Sequence, residues 1–373
     1  MAESTRLVDL VQERIDLFLE ERTPLVLSIA PDLQNFLQYS HDFLVGGKRF
    51  RALFCYWGWQ AVQDGSAAID PLPVPIGHGD LQGVVHVAAA LEVFHAAALV
   101  HDDIMDNSDT RRGKPSAHRR FEDAHSEAGW LGNPASFGNS AALLLGDLLL
   151  GWSDELFDDG LRLLPDKAAA RAARTEFTTM RTEVTLGQYL DILEEAAWKS
   201  HDEDELLARA HRVIVYKSAK YSVEAPLAIG AALGGGSLPQ LAALRDFGLP
   251  LGVAYQLRDD LLGVFGDPSV TGKPSGDDLR EGKRTVLIAL ARTGLPAGVT
   301  RTLDELLGDR ELDDDQVRML QGAIRESGAI EQVERIIDRN VIQAKSALEN
   351  APLSPGALRQ LLELADTVSR RVA

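Results

Sequence analysis

Residues 81–107 read LQGVVHVAAALEVFHAAALVHDDIMDN. The stretch is apolar on nearly every face of a helix and then turns abruptly acidic. A helix without a polar side has other helices around it, so this segment is expected at the centre of a bundle. His86, Glu92 and His95 argue against a bilayer span, as Asp147 does for the apolar run 141–150. Outward from this helix, apolar residues keep the 3.6-residue period almost throughout, and the alternation of half-buried strands is hardly seen. The chain reads as all-α.

The spacing predicts an opening helix pair over 5–38 punctuated by Pro24 and Pro31, a break at Gly46-Gly47, and a helix from about Arg51 to Val62. A loop insertion rich in proline and glycine follows at about 64–80, and a second irregular insertion at 122–138 precedes a helix near Ser140. Further helices are expected at roughly 166–196, 203–234 and 238–264. A loop over 266–283, rich in Gly, Pro, Asp and Lys, leads to three or four shorter helices over about 284–371. No fixed-period repeat is visible, which sets aside a solenoid.

The 373 residues are 45% hydrophobic and 25% charged, enough for one large domain spanning 1–373 with loop decorations. A net charge of −18 excludes bulk attraction to nucleic acid or anionic lipid, so any anion must be held locally. Cys55 is the single cysteine, which rules out a disulfide framework and suits the cytoplasm. The first residues, Met1 to Arg6, do not read as a signal peptide.

Three groups of residues carry chemistry. In Asp102-Asp103-x-x-Asp106 the i to i+4 spacing puts Asp102 and Asp106 on one helix face. Carboxylates at a helix C-terminus oppose the macrodipole as well as each other and call for a cation. Hard oxygen ligands with no cysteine nearby point to magnesium, which takes one or two carboxylates plus substrate phosphates. Arg111, Arg112 and Lys114 follow around Gly113, and arginine's planar fork suits phosphate oxygens. Local salt bridges between these Asp and Arg residues are the plainer alternative.

The second group is Gly46-Gly47-Lys48-Arg49-Phe50-Arg51, three cations opening a helix, where positive side chains are unfavourable unless an anion is shared. A basic turn facing solvent is the alternative. The third is Gln256-x-x-Asp259-Asp260, followed by Gly272-Lys273 and Gly282-Lys283, which reads as a metal and phosphate clamp with a movable loop, or as a charge-balanced surface loop. His95 lies two turns before Asp102 on nearly the same face and could donate to an anion. Lys217, in Tyr216-Lys217-Ser218, sits in an apolar helix and needs a partner. A phosphate would serve.

In this order the segments resemble the polyprenyl synthetase family of trans-isoprenyl diphosphate synthases over roughly residues 40–290, most of all its actinobacterial-type geranylgeranyl diphosphate synthases. The resemblance implies a large antiparallel helical bundle around a deep central cavity, usually a homodimer. It implies Mg²⁺ on Asp102, Asp103 and Asp106, with Arg111 on the allylic diphosphate. By the same carry-over, Lys48, Arg51, His95 and Arg112 hold isopentenyl diphosphate. Lys217, Ser218, Gln256 and Lys273 belong to the allylic side, Asp259 and Asp260 supply a second metal site, and Lys283 closes on the diphosphate. One departure stands out: the family's second motif commonly ends in a third aspartate, and this chain has Gly263 there.

In the family, the fourth and fifth residues before the first aspartate decide product length, being aromatic in short-product enzymes. Here they are Ala98 and Ala97, with Phe94 a turn further down. A floor at Phe94 implies the twenty-carbon geranylgeranyl diphosphate, with farnesyl or longer products as alternatives. Other readings are a His-Asp phosphohydrolase using His101 and Asp102 with His78 or His86, a class I terpene cyclase, and an inactive partner subunit. The cyclase needs an Asn/Ser/Glu motif that is not visible. The inactive subunit would be expected to have lost the aspartates, of which five of six remain.

Overall fold

The computed structural model of the chain describes residues 2–63, 79–268 and 274–369. Its helices are α1 (Ala2–Ile29), α2 (Gln34–Leu44), α3 (Phe50–Ala61), α4 (Gly79–Met105), α5 (Ala117–Glu127), α6 (Pro134–Leu163), α7 (Lys167–Ala197) and α8 (Leu206–Val213). A π-helix, Ile214–Glu224, follows directly, then α9 (Ala225–Leu233), α10 (Leu238–Phe265), α11 (Asp277–Glu281), α12 (Val286–Gly294), α13 (Ala297–Leu306), α14 (Asp314–Glu326), α15 (Ala329–Ala347) and α16 (Pro355–Ser369). Among the described residues the only strands are β1 (Thr110–Arg111) and β2 (Lys114–Pro115), an antiparallel pair. The all-α expectation holds.

The helices form two compact units. In the first, residues up to 174 with 229–236, α4 is packed by α6, α3, α1, α2 and α5. Val84, Val87, Ala88, Leu91, Ala97 and Val100 of α4 are fully enclosed, which is why a helix long and apolar enough to cross a membrane is a core helix here. α1 lays Leu7, Val11, Ile15 and Phe18 inward at helical spacing. It runs through Pro24 rather than breaking there, and Pro31 opens a short 3₁₀ turn, Pro31–Leu33.

The irregular stretch expected over 122–138 is confined to 128–133. α5 buries Ala117, His118, Phe121 and His125, a face too rich in histidine to register as apolar in the sequence. Asn133 starts α6 by accepting the Ser136 N–H at 2.9 Å, with Pro134 in the first turn. Of the other insertion, residues 64–78 lie outside the described residues, and Gly79 and Asp80 already belong to α4.

In the second unit, residues 175–228 and 237 onward, α10 packs against the π-helix and α15. Leu257, Leu261 and Val264 of α10 share a core with Leu279 of α11, Val286 and Ile288 of α12, Leu320 and Ile324 of α14, and Val333 and Ile337 of α15. This core fixes the rotation of α10, and therefore where Asp259 and Asp260 point.

Candidate active site

In the first unit the site begins where α4 stops. Asn107 takes a left-handed φ of 52°, Ser108 N–H reaches the Asp103 carbonyl at 2.9 Å and Asn107 N–H the Ile104 carbonyl at 3.3 Å. These bonds close the helix with its acidic turn intact. The chain then doubles back through β1 and β2, whose two-residue turn, Arg112-Gly113, has positive φ at both positions (53° and 73°), the geometry that matches strand twist. The hairpin returns Arg111 to the aspartates. Its Nε donates to Asp103 Oδ1 at 2.9 Å, its Nη2 donates to the same oxygen, and Nη2 lies 3.5 Å from Asp102 Oδ2. Asp103 is 0% exposed, Asp106 is buried and Asp102 is partly open.

The Gly46-Gly47 turn, with φ of 75° and 93°, comes up against this hairpin: a Cβ on Gly47 would lie 3.2 Å from Arg112 Nη2. The three cations after it separate into two roles. Arg49 turns inward, with Nη1 3.4 Å from Glu92 Oε2 and Nη2 bonded to Gln12 Oε1 and the Leu44 carbonyl. Glu92 Oε1 also accepts the Ala52 N–H at 3.1 Å, so one carboxylate of α4 caps α3 and neutralises Arg49. Lys48 is exposed and Arg51 half-buried. His95 is held well below its ordinary pKa by burial first and then by Arg51, Arg112, Arg111 and Arg49. The imidazole is therefore neutral and keeps one N–H to donate among these guanidinium groups.

His101 packs over Gly146 and contacts the Leu143 carbonyl at 3.3 Å and Asp147 at 3.5 Å. His86 is turned to the Gln82 carbonyl at 2.7 Å and stands fifteen residues, about 22 Å, from His101 along α4. The two cannot share a metal, and His78 lies outside the described residues. Ala97 is enclosed. Ala98, one turn before Asp102, is partly open, and Phe94 stands about 12 Å from Asp102 along the axis.

In the second unit, α7 approaches the π-helix where Gly187 has no side chain: a Cβ there would sit 2.4 Å from the Lys217 backbone nitrogen. The close approach lets Lys217 Nζ bond Asp191 Oδ2. Lys283 Nζ reaches the same oxygen at 3.2 Å and Glu195 Oε1 at 2.9 Å. The neighbouring Arg284 stacks over the Trp198 ring, 3.8 Å from its centroid, fastening this segment to the end of α7. Burial, ahead of the opposing effect of Asp304, lowers the Arg284 pKa to about 10. Gln256 Nε2 donates to Asp260 Oδ1 at 2.8 Å. The Asp260 carboxyl is pushed up to about 7, by burial first and then by Asp259 and Asp191, against the hydrogen bond from Gln256 and the charge of Lys217. Asp259 is exposed, Ser218 half-buried beside Lys217, and Lys273 outside the described residues.

Sequence reasoning missed Asp191, Glu195 and the structural part played by Arg49 and Glu92. A signal for Asp191 exists: Gln188-x-x-Asp191 repeats the spacing of Gln256-x-x-Asp259. Among the described residues no three His, Cys, Asp or Glu side chains converge into a ready-made metal cage. The carboxylates at the end of α4 and on α10 are hard oxygen donors of the kind magnesium takes, its shell completed by water and phosphate oxygens. Asp260 Oδ2, buried without a hydrogen-bond partner, is an oxygen such a cation would satisfy.

The polyprenyl synthetase family model matches residues 32–324. A crystal structure of geranylgeranyl pyrophosphate synthase from Corynebacterium glutamicum, complexed with isoprenyl diphosphate and magnesium, superposes with a TM-score of 0.89 at 35% identity, covering 98% of this chain and 99% of that one. The geranylgeranyl diphosphate synthase of Mycobacterium tuberculosis is 29% identical over 79% of this chain and 75% of its own length. The geranylfarnesyl diphosphate synthase of Aeropyrum pernix is 28% identical over 91% and 94%.

Proposed function

The chain belongs to the polyprenyl synthetase family and is a trans-isoprenyl diphosphate synthase, and from that premise we propose that it condenses isopentenyl diphosphate with an allylic diphosphate to give geranylgeranyl diphosphate. The observation that carries the reading is the return of Arg111 onto Asp102 and Asp103 by the hairpin, which sets a guanidinium beside the carboxylates at the end of an apolar helix.

Asp102, Asp103 and Asp106, and in the second unit Asp259 and Asp260, would hold magnesium, which when bound offsets the negative charge that grows on the departing diphosphate. Arg111 in the first unit, and Lys217 and Lys283 in the second, each offer fixed positive charge of the kind that stabilises a departing diphosphate. Lys48, Arg51, Arg112 and neutral His95 hold the diphosphate of isopentenyl diphosphate, three cations and one neutral N–H donor suited to its oxygens. Gln256, Ser218 and Lys273 complete the allylic side. As the allylic carbon–oxygen bond breaks, the double bond of isopentenyl diphosphate attacks the carbon, and apolar side chains of α4 keep water from the cation. The departed diphosphate takes the proton.

Product length follows from α4. Ala98 leaves room beside Asp102, and Phe94 closes the channel one turn further, about 5.4 Å on, which supports a twenty-carbon product. A homodimer accords with the exposed Phe137, Leu143 and Leu144 on α6, and a cytoplasmic location with the single buried Cys55. Purified protein supplied with Mg²⁺, isopentenyl diphosphate and each allylic primer in turn should elongate at least one, with products sized by chromatography. No elongation with any primer, and an Asp102→Ala control that behaves the same, would overturn the reading.

A further inference from the structure

We propose that Asp278 supplies the third carboxylate of the second acidic motif, the place where Gly263 brings none, and that it does so through the water shell of a cation held by Asp259 and Asp260. A Cβ built on Gly263 would lie 2.0 Å from Asp278 Oδ2, 2.3 Å from its Cγ and 2.6 Å from Oδ1. The carboxylate of Asp278 thus occupies the volume that a side chain at 263 would fill. Gly263 follows Asp259 by four residues, so the two share a face of α10 with Cβ positions about 6 Å apart, a span that a metal-bound water bridges. The glycine is what admits the outside carboxylate, and the motif keeps its acidic count by taking it from the next helix.

Two further observations support this role. Asp260 Oδ2 is buried, in a side chain 6% exposed, and has no hydrogen-bond partner, which marks this turn of α10 as a place for a cation. Asp278 is also held rigidly. In α11, Leu279 is fully buried, Arg280 bonds the Leu312 carbonyl at 3.1 Å and the Ser275 carbonyl at 3.0 Å, and the helix is bounded by Gly276 and Gly282 in left-handed conformation. The Asp278 carbonyl accepts the Lys283 N–H at 3.1 Å, so the residue whose carboxylate covers Gly263 also fixes the backbone of the lysine bound to Asp191 and Glu195. With about 6 Å between the Cβ positions of 259 and 263, the Asp278 carboxylate over Gly263 is assigned to metal-bound water and not to the cation itself.

This assignment rests on the metal role proposed above for Asp259 and Asp260, and the test separates the two. Mn²⁺ is titrated into the protein in the presence of inorganic diphosphate, and free Mn²⁺ is followed by its electron paramagnetic resonance signal. Asp278→Asn should weaken binding about tenfold, the usual effect of removing an outer-shell partner. Gly263→Asp alone should weaken it too, because its Cβ collides with the Asp278 carboxylate. The exchange Gly263→Asp with Asp278→Ala should restore binding to near the parent value, and thermal unfolding shows whether each variant is folded. Asp259→Asn is the control: if it binds Mn²⁺ as the parent does, the metal role of Asp259 falls and this assignment with it. If Asp259→Asn is impaired while Asp278→Asn binds normally, or the exchange binds no better than Asp278→Ala, Asp278 only plugs the space over Gly263 and the assignment is wrong. Should Asp278→Asn fail to fold, the exchange variant decides alone.

Discussion

Stripping the charge from Glu92 while keeping its shape should cost the fold several kcal/mol. Glu92 and Arg49 are each 5% exposed, and their ion pair is the tie between α4 and the start of α3. In Glu92→Gln the guanidinium of Arg49 stays buried without a counter-charge, a situation that costs about 3–5 kcal/mol. Arg49 keeps its bonds to Gln12 and the Leu44 carbonyl, which places the loss near the lower end, about 3 kcal/mol. The amide oxygen of Gln can still accept the Ala52 N–H, so Glu92→Ala should lose about 1 kcal/mol more, the typical value of a helix cap. The double variant Arg49→Met with Glu92→Leu should recover most of the stability, because an apolar pair leaves no charge to desolvate. Urea unfolding followed by circular dichroism reads these differences, and KM for isopentenyl diphosphate should rise in Glu92→Gln because Lys48 and Arg51 flank Arg49. A loss below about 1 kcal/mol for Glu92→Gln, or a double variant that loses the sum of its singles, would refute the account.

Ala98→Phe should shorten the product by at least one five-carbon unit and Phe94→Ala should lengthen it, and chromatography of products that shows neither change counts against a floor on α4. In protein kept free of metal by chelation, the Asp260 carboxyl at about 7 lies above its ordinary 3.8, so its protonated form favours the fold. That contribution is complete below about pH 4 and is lost as pH rises through about 7, so Tm should fall between about pH 4 and 7 and level off above that. Asp260→Asn should flatten this fall, and an unchanged profile would show that Asp260 titrates normally. Burial raises the Cys55 thiol pKa far above its ordinary range, so a thiol-reactive reagent at pH 8 should label the protein only after urea unfolding. Fast labelling of folded protein would contradict that burial. Trp198→Ala should loosen Arg284 and so Lys283, raising KM for the allylic primer, with Trp198→Phe restoring most of it. An unaltered KM would detach the stack from the site.

The core helix and its acidic end are legible because both are written in contiguous residues: an unbroken apolar surface followed by carboxylates at i and i+4. The hairpin at 110–115 is not, since two-residue strands are too short to show alternation and the turn depends on positive φ at Arg112, which residue type does not announce. The basic turn 46–51 shows its charge but not its division of labour. Arg49 and Arg51 differ only in which way the helix start faces them, and that is set by Glu92, forty residues further on. Asp191 and Glu195 look like ordinary polar positions of a long amphipathic helix until Lys217 and Lys283 are brought to them. Gly263 reads in the sequence as a missing aspartate, and in the structure as the opening into which Asp278 fits.

The π-helix from Ile214 to Glu224 has a consequence for how this chain tolerates change in length. A wide turn holds one residue more than an α-helix over the same rise, so it stores an insertion without shifting what lies beyond it. Deleting one residue there would give the backbone its commoner hydrogen bonds and leave the flanking helices in place, yet residues inside the segment would change the direction they face by up to about 100°. Lys217 would leave Asp191, or Glu224 would leave Arg245, depending on which side of the cut each fell. The segment is thus a place where a gain in local regularity is a loss of alignment, and where a length variant can be well folded and still unable to present its lysine.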